Sequence, residues 1–431
     1  MGRIRQRVNP FQIRLLPSHP EKRNSFSRLT LWTFPGLVDG VYVKKDSNKL
    51  LKKAGLERAV LTEPGITRKK SGKKSWTYLD PKGRTIKNRT QIEIYNKLVL
   101  PPAWTDVWIN PKKRGHIIAT GLDGKGRLQY RYHPDWTAVG AQAKYGGVAD
   151  FADHLSALRK AYQSDVRMKG MPKRKVVAAV VWLMDLKGIR IGNDEYARKN
   201  HHYGLTTIQD GHIQFQGDRK AILQFRAKSG KDRHIVVDES RALVKLLKKC
   251  QEVGGVHPEV GDDGQDLFRY LDATGKDLDI KSHHINQYIY DICGAHFTAK
   301  DFRTWMATWK MAERIGKLVQ FRNEPDEFVS WAKGGRLANW EKFGKLEKKG
   351  RIHLDSPTAL NRALVNLIDS VSADLGNTRT VCRGSYIHPA IVDDFLSEKF
   401  ETRWKKTTGK KFQINLTEGE NRTLIYLRSR R

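Results

Sequence analysis

The chain reads as an α+β protein, with a small N-terminal antiparallel β domain followed by a mostly α-helical domain that carries a three-stranded β meander. Three observations lead there. Over residues 57–132 short β-like runs alternate with turn chemistry: Trp76-Thr-Tyr78 precedes Asp80-Pro-Lys-Gly83, and Gly115-His-Ile-Ile-Ala-Thr120 precedes Asp123-Gly-Lys-Gly126. From about Thr137 the apolar residues recur at helical spacing. Between His212 and Val237 three short runs (213–215, 222–226 and 235–237) return to strand chemistry, with Lys228-Ser-Gly-Lys231 as their second turn.

In chain order, residues 1–56 are an N-terminal extension of unassigned role, with an apolar patch at 29–37 followed by Lys44-Lys45 and Lys49-Leu-Leu-Lys-Lys53. Residues 57–136 make the β-rich domain, whose loops are basic, as in Arg68-Lys-Lys-Ser-Gly-Lys-Lys74. A join is expected near 133–148, where His133-Pro134 is followed by the glycine-bearing stretch from Gly140 to Gly147. Residues 137–400 make the helical domain. Its segment 173–186 is apolar nearly all round (Val176, Val177, Val180, Val181, Trp182, Leu183, Met184) and is expected as a buried helix stopped by Gly188, with Arg190 directly after it. Further helices are expected over 241–249, 282–295, 299–315 and 325–332. Residues 401–431 are a basic C-terminal tail, with Thr417 and Glu420 spaced as a capping box for a last helix.

Lys plus Arg number 80 against 46 Asp plus Glu among 431 residues, a net charge of +34 spread along the whole chain. A surplus of that size implies a polyanionic partner, and nucleic acid is the obvious one. A membrane partner is not expected: no apolar run is long enough to span a bilayer, and there is no basic amphipathic anchor. The basic start, Met1-Gly-Arg-Ile-Arg-Gln-Arg7, lacks the apolar core of a secretory signal. Cys250, Cys293 and Cys382 are scattered and odd in number, so they read as thiols of a reducing compartment. The pairs His201-His202 and His283-His284 have no Cys or carboxylate spacing beside them to make a metal site.

The stretch Leu375-Gly-Asn-Thr-Arg-Thr-Val-Cys-Arg-Gly-Ser-Tyr-Ile-His-Pro389 organises the rest. Upstream of it Leu360, Leu364, Leu367, Val371 and Leu375 recur at helical spacing, opened by Ser356 and Pro357. Gly376 supplies a left-handed stop, Asn377 caps a following short helix that Gly384 ends, and Pro389 starts another. Tyr386 is thereby left on a junction between helices.

A tyrosine there suits nucleophilic attack on a phosphodiester if three needs are met. A free phenol has a pKa of about 10 and needs activation. Charge builds on the non-bridging oxygens, which forked guanidiniums answer. The leaving alkoxide needs a proton, which a lysine among other cations can give. The candidates are Arg190 after the buried helix, Lys228 on a hairpin tip, Arg303 in Lys300-Asp-Phe-Arg-Thr-Trp305, and Asn377, nine positions before Tyr386.

Seven stretches taken in order, Leu100-Pro-Pro-Ala-Trp-Thr-Asp-Val-Trp108, Gln129-Tyr-Arg-Tyr-His-Pro134, Arg190-Ile-Gly-Asn-Asp-Glu-Tyr196, Tyr203-Gly-Leu-Thr-Thr207, Lys228-Ser-Gly-Lys231, Asp301-Phe-Arg-Thr-Trp305 and the Tyr386 block, closely resemble the type IB DNA topoisomerases of the compact bacterial and poxvirus-like branch, whose catalytic domain is related to that of tyrosine recombinases. The resemblance covers roughly residues 57–395. It implies an isomerase that relaxes positive and negative supercoils through a transient 3′-phosphotyrosyl intermediate, without ATP and with no divalent cation required. In its terms Tyr386 is the nucleophile, Lys228 the general acid, and Arg190 and Arg303 the transition-state clamps. Asn377 stands where viral and nuclear relatives carry His; an amide still donates but lends no charge. Gln129, Tyr130 and Tyr132 match positions at which poxvirus relatives touch DNA in the major groove, and Lys231 is assigned to DNA contact with them. The resemblance further implies a monomer that clamps double-stranded DNA, located in the cytoplasm on the nucleoid.

Taken singly, each residue also has an ordinary reading. Tyr386 suits a packed junction residue, Asn377 a helix cap, Arg190 and Arg303 ion-pair partners, Lys228 a solvated turn and the Gln129–Tyr132 run an edge strand. Trp104, Trp108, Trp305 and Trp309 read as core. Two other functions compete. A site-specific tyrosine recombinase shares the Arg, Lys and Tyr chemistry, but Lys300 stands where a recombinase carries the His of its His-x-x-Arg box. A non-catalytic basic DNA-binding protein is the second. Binding by contact with about 6–10 phosphates loses roughly 10³- to 10⁵-fold in affinity between about 50 and 200 mM salt.

Overall fold

The computed structural model describes residues 37–38, 41–42, 47–72, 75–253, 264–334, 337, 341–348 and 350–430. The apolar patch (Leu37 apart), Lys44, Lys45 and the loop residues Lys73 and Lys74 lie outside them. The chain divides into two compact units, Met1–Ser47 and Asn48–Arg431. Of the first, strands β1 (Leu37–Val38) and β2 (Val41–Tyr42) pair antiparallel.

The second unit opens with helix α1 (Ser47–Ala54) and a five-stranded antiparallel sheet. Its strands are β3 (Ile66–Lys70), β4 (Trp76–Leu79), β5 (Thr105–Ile109), β6 (Ile117–Leu122) and β7 (Leu128–Tyr132), in the order β4-β3-β5-β6-β7. The two turns read from the sequence are one device. Asp80 accepts the amides of Lys82 and Arg84, and Asp123 those of Lys125 and Arg127, while Gly83 (φ 80°) and Gly126 (φ 70°) take the left-handed position that closes each turn. The inner face buries Ile66, Tyr78, Val107, Ile109 and Ala119 under helix α2 (Arg89–Lys97), which contributes Ile92 and Tyr95. That helix was not anticipated.

The expected join is helical. His133 caps helix α3 (Pro134–Gly146), its ring accepting the Asp135 amide at 3.2 Å, and Gly147 passes the chain directly into α4 (Val148–Asp165). Next comes α5 (Lys173–Lys187), whose Val176, Val180, Val181, Leu183 and Met184 are wholly buried as expected and whose Gly188 (φ 57°) is left-handed. After α6 (Asp194–Asn200) the meander appears as read: β8 (Ile213–Gln216), β9 (Lys220–Ala227) and β10 (Lys231–Val237), with β9 central. Helix α7 (Arg241–Glu252) and a hairpin, β11 (Arg269–Leu271) with β12 (Asp277–Asp279), lead to α8 (Ser282–Cys293), the long α9 (Ala299–Gln320), α10 (Pro325–Lys333) and the single turn α11 (Glu341–Gly344). Hairpin β13 (Glu347–Lys348) and β14 (Arg351–Ile352) then precedes α12 (Pro357–Leu375), α13 (Arg379–Ser385), α14 (Pro389–Leu396), α15 (Phe400–Lys405) and α16 (Glu418–Arg428).

The stretch read as a basic tail is integrated into the helical core. Trp404, Leu424 and Tyr426 are buried there, and the expected Thr417/Glu420 capping box starts α16. The three cysteines are free and buried. Trp305 is core, as expected, whereas Trp108 is only half-buried and donates its indole N–H to the Glu63 carbonyl at 3.0 Å. Among the described residues no helix is long and apolar enough to cross a membrane.

Candidate active site

Tyr386 is placed by local rules. Helix α12 starts on Ser356, whose hydroxyl accepts the Ala359 amide at 3.2 Å, and stops at Gly376 (φ 63°). The cap of α13 is Thr378, accepting from the Val381 amide at 3.3 Å, and not Asn377 as expected. Two good capping residues stand side by side, and the second one is used. That choice releases the Asn377 side chain for other work. Helix α13 runs through Gly384 to Ser385, one residue past the expected stop, and Tyr386 is its C-terminal cap, with its amide on the Cys382 carbonyl at 3.0 Å. From α9 the buried Thr308 hydroxyl grips the main chain on both sides. It lies 3.2 Å from the Tyr386 carbonyl oxygen and accepts the His388 amide at 3.2 Å.

Arg303, at 3% exposure, sits in the first turns of α9, whose start is fixed by the Thr298/Asp301 capping box. Its guanidinium donates to the Gly188 carbonyl at the end of α5, to the Leu375 carbonyl at the end of α12 (3.0 Å) and to Asn377 Oδ1 (3.1 Å). Two helix C-termini aim their unpaired carbonyls at this one cation. The same Asn377 oxygen accepts from Arg190, so the amide bridges the two guanidiniums. The Arg190 segment is pinned from behind by the Leu205 amide on the Arg190 carbonyl at 2.8 Å. A Cβ at Gly204 would fall 2.7 Å from that carbonyl oxygen, which explains the glycine of the Tyr203-Gly-Leu-Thr-Thr207 motif.

The Arg303 guanidinium carbon lies 4.9 Å from the centre of the Tyr386 ring. Burial works to raise the pKa of the Tyr386 phenol, but Arg303, which it also hydrogen-bonds, together with Arg190 and Lys300, brings it below the ordinary 10.0. Burial, with Arg190 and Arg233 as like charges, pulls Arg303 itself down to about 10 against the opposing pull of Tyr386, so it stays charged at neutral pH. Neither Arg190 nor Arg303 has an ion pair among the described residues. Two buried donors of the cluster, Asn377 Nδ2 and Arg303 Nε, lack a hydrogen-bond partner there. Each such group costs about 1–3 kcal/mol in a folded interior unless something completes it.

Lys228 stands exposed at the β9–β10 tip, where Ser229 (φ 68°) and Gly230 (φ 69°) are both left-handed, and it makes no hydrogen bond to the cluster. The hairpin beneath it is docked onto the α12 end. Lys231 Nζ donates to the Asn377 carbonyl at 3.0 Å, and Arg233 donates to the carbonyls of Ala373 (3.3 Å) and Asp374 (3.0 Å). Gln129, Tyr130 and Tyr132 lie on β7 at the edge of the five-stranded sheet. Gln129 donates to Asp123 at 3.0 Å, and the two tyrosine rings stack 5.9 Å apart. Thus Tyr386, Arg190, Arg303 and Asn377 come together, Lys228 is carried on the adjoining hairpin, and the β7 residues belong to the other lobe. Sequence reasoning missed Arg233 and Thr308. Arg233 had a signal, the period of two from Lys231; a threonine inside α9 had none.

Residues 135–412 match the family described as eukaryotic DNA topoisomerase I, catalytic core, and residues 75–123 match the bacterial DNA topoisomerase IB N-terminal domain. The chain is 30% identical over 249 residues to a DNA topoisomerase 1B of Acanthamoeba polyphaga mimivirus, a match spanning 56% of this chain and 70% of the viral one. It is 21% identical over 236 residues to DNA topoisomerase 1 of Schizosaccharomyces pombe, covering 54% of this chain and 25% of that longer protein. With a catalytic-core match over more than half its length and a bacterial-type match on its β lobe, the chain belongs to the type IB DNA topoisomerase family.

Proposed function

We propose that this DNA topoisomerase relaxes supercoils of both signs by breaking and resealing one strand through Tyr386. The observation that carries the reading is the Asn377 amide bridging Arg190 and Arg303, with Arg303 against the Tyr386 ring and, among the described residues, no carboxylate paired to either arginine. The phenol gives its proton to solvent more easily than a free tyrosine, and its oxygen attacks the phosphorus. The bond to the 5′ oxygen breaks as the bond to Tyr386 forms, leaving a 3′-phosphotyrosyl end. Arg190, Arg303 and the open Asn377 Nδ2 take the charge on the non-bridging oxygens. Lys228 reaches in from the hairpin tip and protonates the departing 5′ oxygen. In the return step the 5′ hydroxyl attacks the phosphotyrosine and Lys228 takes the proton back. The phosphodiester's free energy is conserved in the adduct, so ATP is not needed, and the side-chain cations do the work for which a divalent ion would otherwise serve.

The β lobe (57–136) and the helical domain (137–400) act as two halves of a monomeric clamp on double-stranded DNA, at work on the nucleoid in the cytoplasm. The support is that basic stretches lie on both sides of the join, Arg68-Lys-Lys70 in the β lobe and Lys228-Ser-Gly-Lys231 in the helical domain.

The test is plasmid relaxation without nucleotide and with chelator. The expected result is loss of both supercoil signs by the wild type, and DNA binding without cleavage by Tyr386→Phe. Relaxation by that variant contradicts the assignment.

A further inference from the structure

Helix α3 enters from the β lobe, and at its far end Tyr145 touches the chain on both sides of Tyr386. The Tyr145 hydroxyl donates to the Gly384 carbonyl, two residues before Tyr386, at 3.4 Å. The Tyr145 ring packs on the His388 imidazole, two residues after it, with centroids 5.2 Å apart. That imidazole also donates to the Tyr145 main-chain carbonyl and receives the Ala390 amide at 3.2 Å. Burial, and then Arg430, pull His388 down to about 4, so the imidazole is neutral at neutral pH and acts by hydrogen bonding and packing. Tyr145 itself is 6% exposed.

The near end of the same helix is fixed to the β lobe. Trp136 packs edge-on against His116, ring centroids 5.2 Å apart, and the His133 amide donates to the His116 carbonyl at 2.9 Å. One helix therefore runs from the β lobe to the segment that carries the phenol.

We propose that Tyr145, with His388 as its partner, is a positioning residue that ties the Tyr386 hydroxyl to the helix leaving the β lobe. The proposal rests on Tyr386 being the nucleophile. Its physical basis is that a shift of about 1 Å in a reacting group costs on the order of 10²-fold in rate.

Single-turnover cleavage of a duplex by the full-length chain, with religation and DNA affinity measured beside it, tests the idea. For Tyr145→Ala the expected result is a roughly 10- to 100-fold slower cleavage and an equally slowed religation. The adduct fraction at equilibrium and the DNA Kd should stay within about threefold of wild type, because a displaced nucleophile obstructs both directions of one step. Tyr145→Phe keeps the ring on His388 and should lose only a few-fold. His388→Asn retains a side chain that caps α14 while removing the ring contact. It should reproduce the loss, and combining it with Tyr145→Ala should add little. Wild-type cleavage rates in Tyr145→Ala and His388→Asn overturn the proposal. So does a normal rate with reduced amplitude, which reports folding alone, or a loss confined to DNA affinity. Failure of the underlying assignment looks different, since Tyr386→Phe would then still cleave.

Discussion

Two arginine clusters buried in the helical domain are built in opposite ways. Around Arg159 every cationic donor meets an acceptor and the charge is overpaid by carboxylates. Asp185 takes two bonds at 2.7 and 3.0 Å, Glu420 takes two at 2.7 and 2.8 Å, and the Asn415 carbonyl takes one at 2.6 Å. Despite burial, these partners raise the Arg159 pKa and lower that of Glu420. Around Arg303 the partners are carbonyls, an amide oxygen and a phenol, with Arg190 and Arg233 as like charges, and its pKa falls. The first cluster holds α4, α5 and α16 together, with Trp305 of α9 donating to Glu420 at 3.2 Å. The second is a cationic site short of an anion. Perturbed groups of opposite sense separate a structural ion-pair network from the candidate active site here.

The largest contrast is expected on removing each arginine. Arg303→Ala should slow single-turnover cleavage by about 10²- to 10³-fold. Arg159→Ala should instead lower unfolding free energy by about 3–5 kcal/mol, because Asp185 and Glu420 are left buried without their cation. Its cleavage rate per folded molecule should be unchanged. Denaturant melts beside cleavage assays check both, and a more destabilised Arg303→Ala than Arg159→Ala breaks the contrast.

Asn377→Asp would convert the second cluster toward the first. A carboxylate between Arg190 and Arg303 should raise the melting temperature and slow cleavage by about 10²-fold, since it occupies the cations and repels phosphate. A variant that cleaves normally would show that the cluster's open charge is unimportant.

A smaller effect is expected in pH. The Tyr386 phenol has its pKa below 10.0 because Arg303, Arg190 and Lys300 stabilise its ionised form against burial. Cleavage should rise with pH along a limb that levels off below that value. Removing the charge with Arg303→Gln should move the limb upward, and an unmoved limb would mean that Arg303 does not set phenol ionisation.

Much of the fold was legible because its signals are local. The Asp-x-x-Gly turns, the apolar α5, the Ser356-Pro357 start and Gly376 stop of α12, and the meander each follow from a few adjacent residues. The misses have local causes too. Helix α2 buries none of its residues deeply and so lacks a strong apolar stripe. In α3, Gly140 and Gly146 read as a join, yet His133, Pro134 and the packing of Trp136 and Tyr145 keep the stretch helical. At the site, the resemblance supplied the residue roles, and the fold brings four of those five residues together. Thr308 and Tyr145 were not readable, because each acts through main-chain or ring contacts to a segment far along the chain, whereas Arg233 was signalled by its spacing of two from Lys231 and was missed.

The most direct test of the central claim, that an anion-hungry arginine pair makes the Tyr386 phenol a nucleophile toward DNA, is to stop a cleavage reaction with detergent and map the protein–DNA adduct by mass spectrometry. The account predicts one phosphotyrosyl linkage, on Tyr386, to the 3′ end of the broken strand, with a free 5′ hydroxyl opposite. A linkage on another residue or to the 5′ end, or relaxation with no adduct at all, would contradict it.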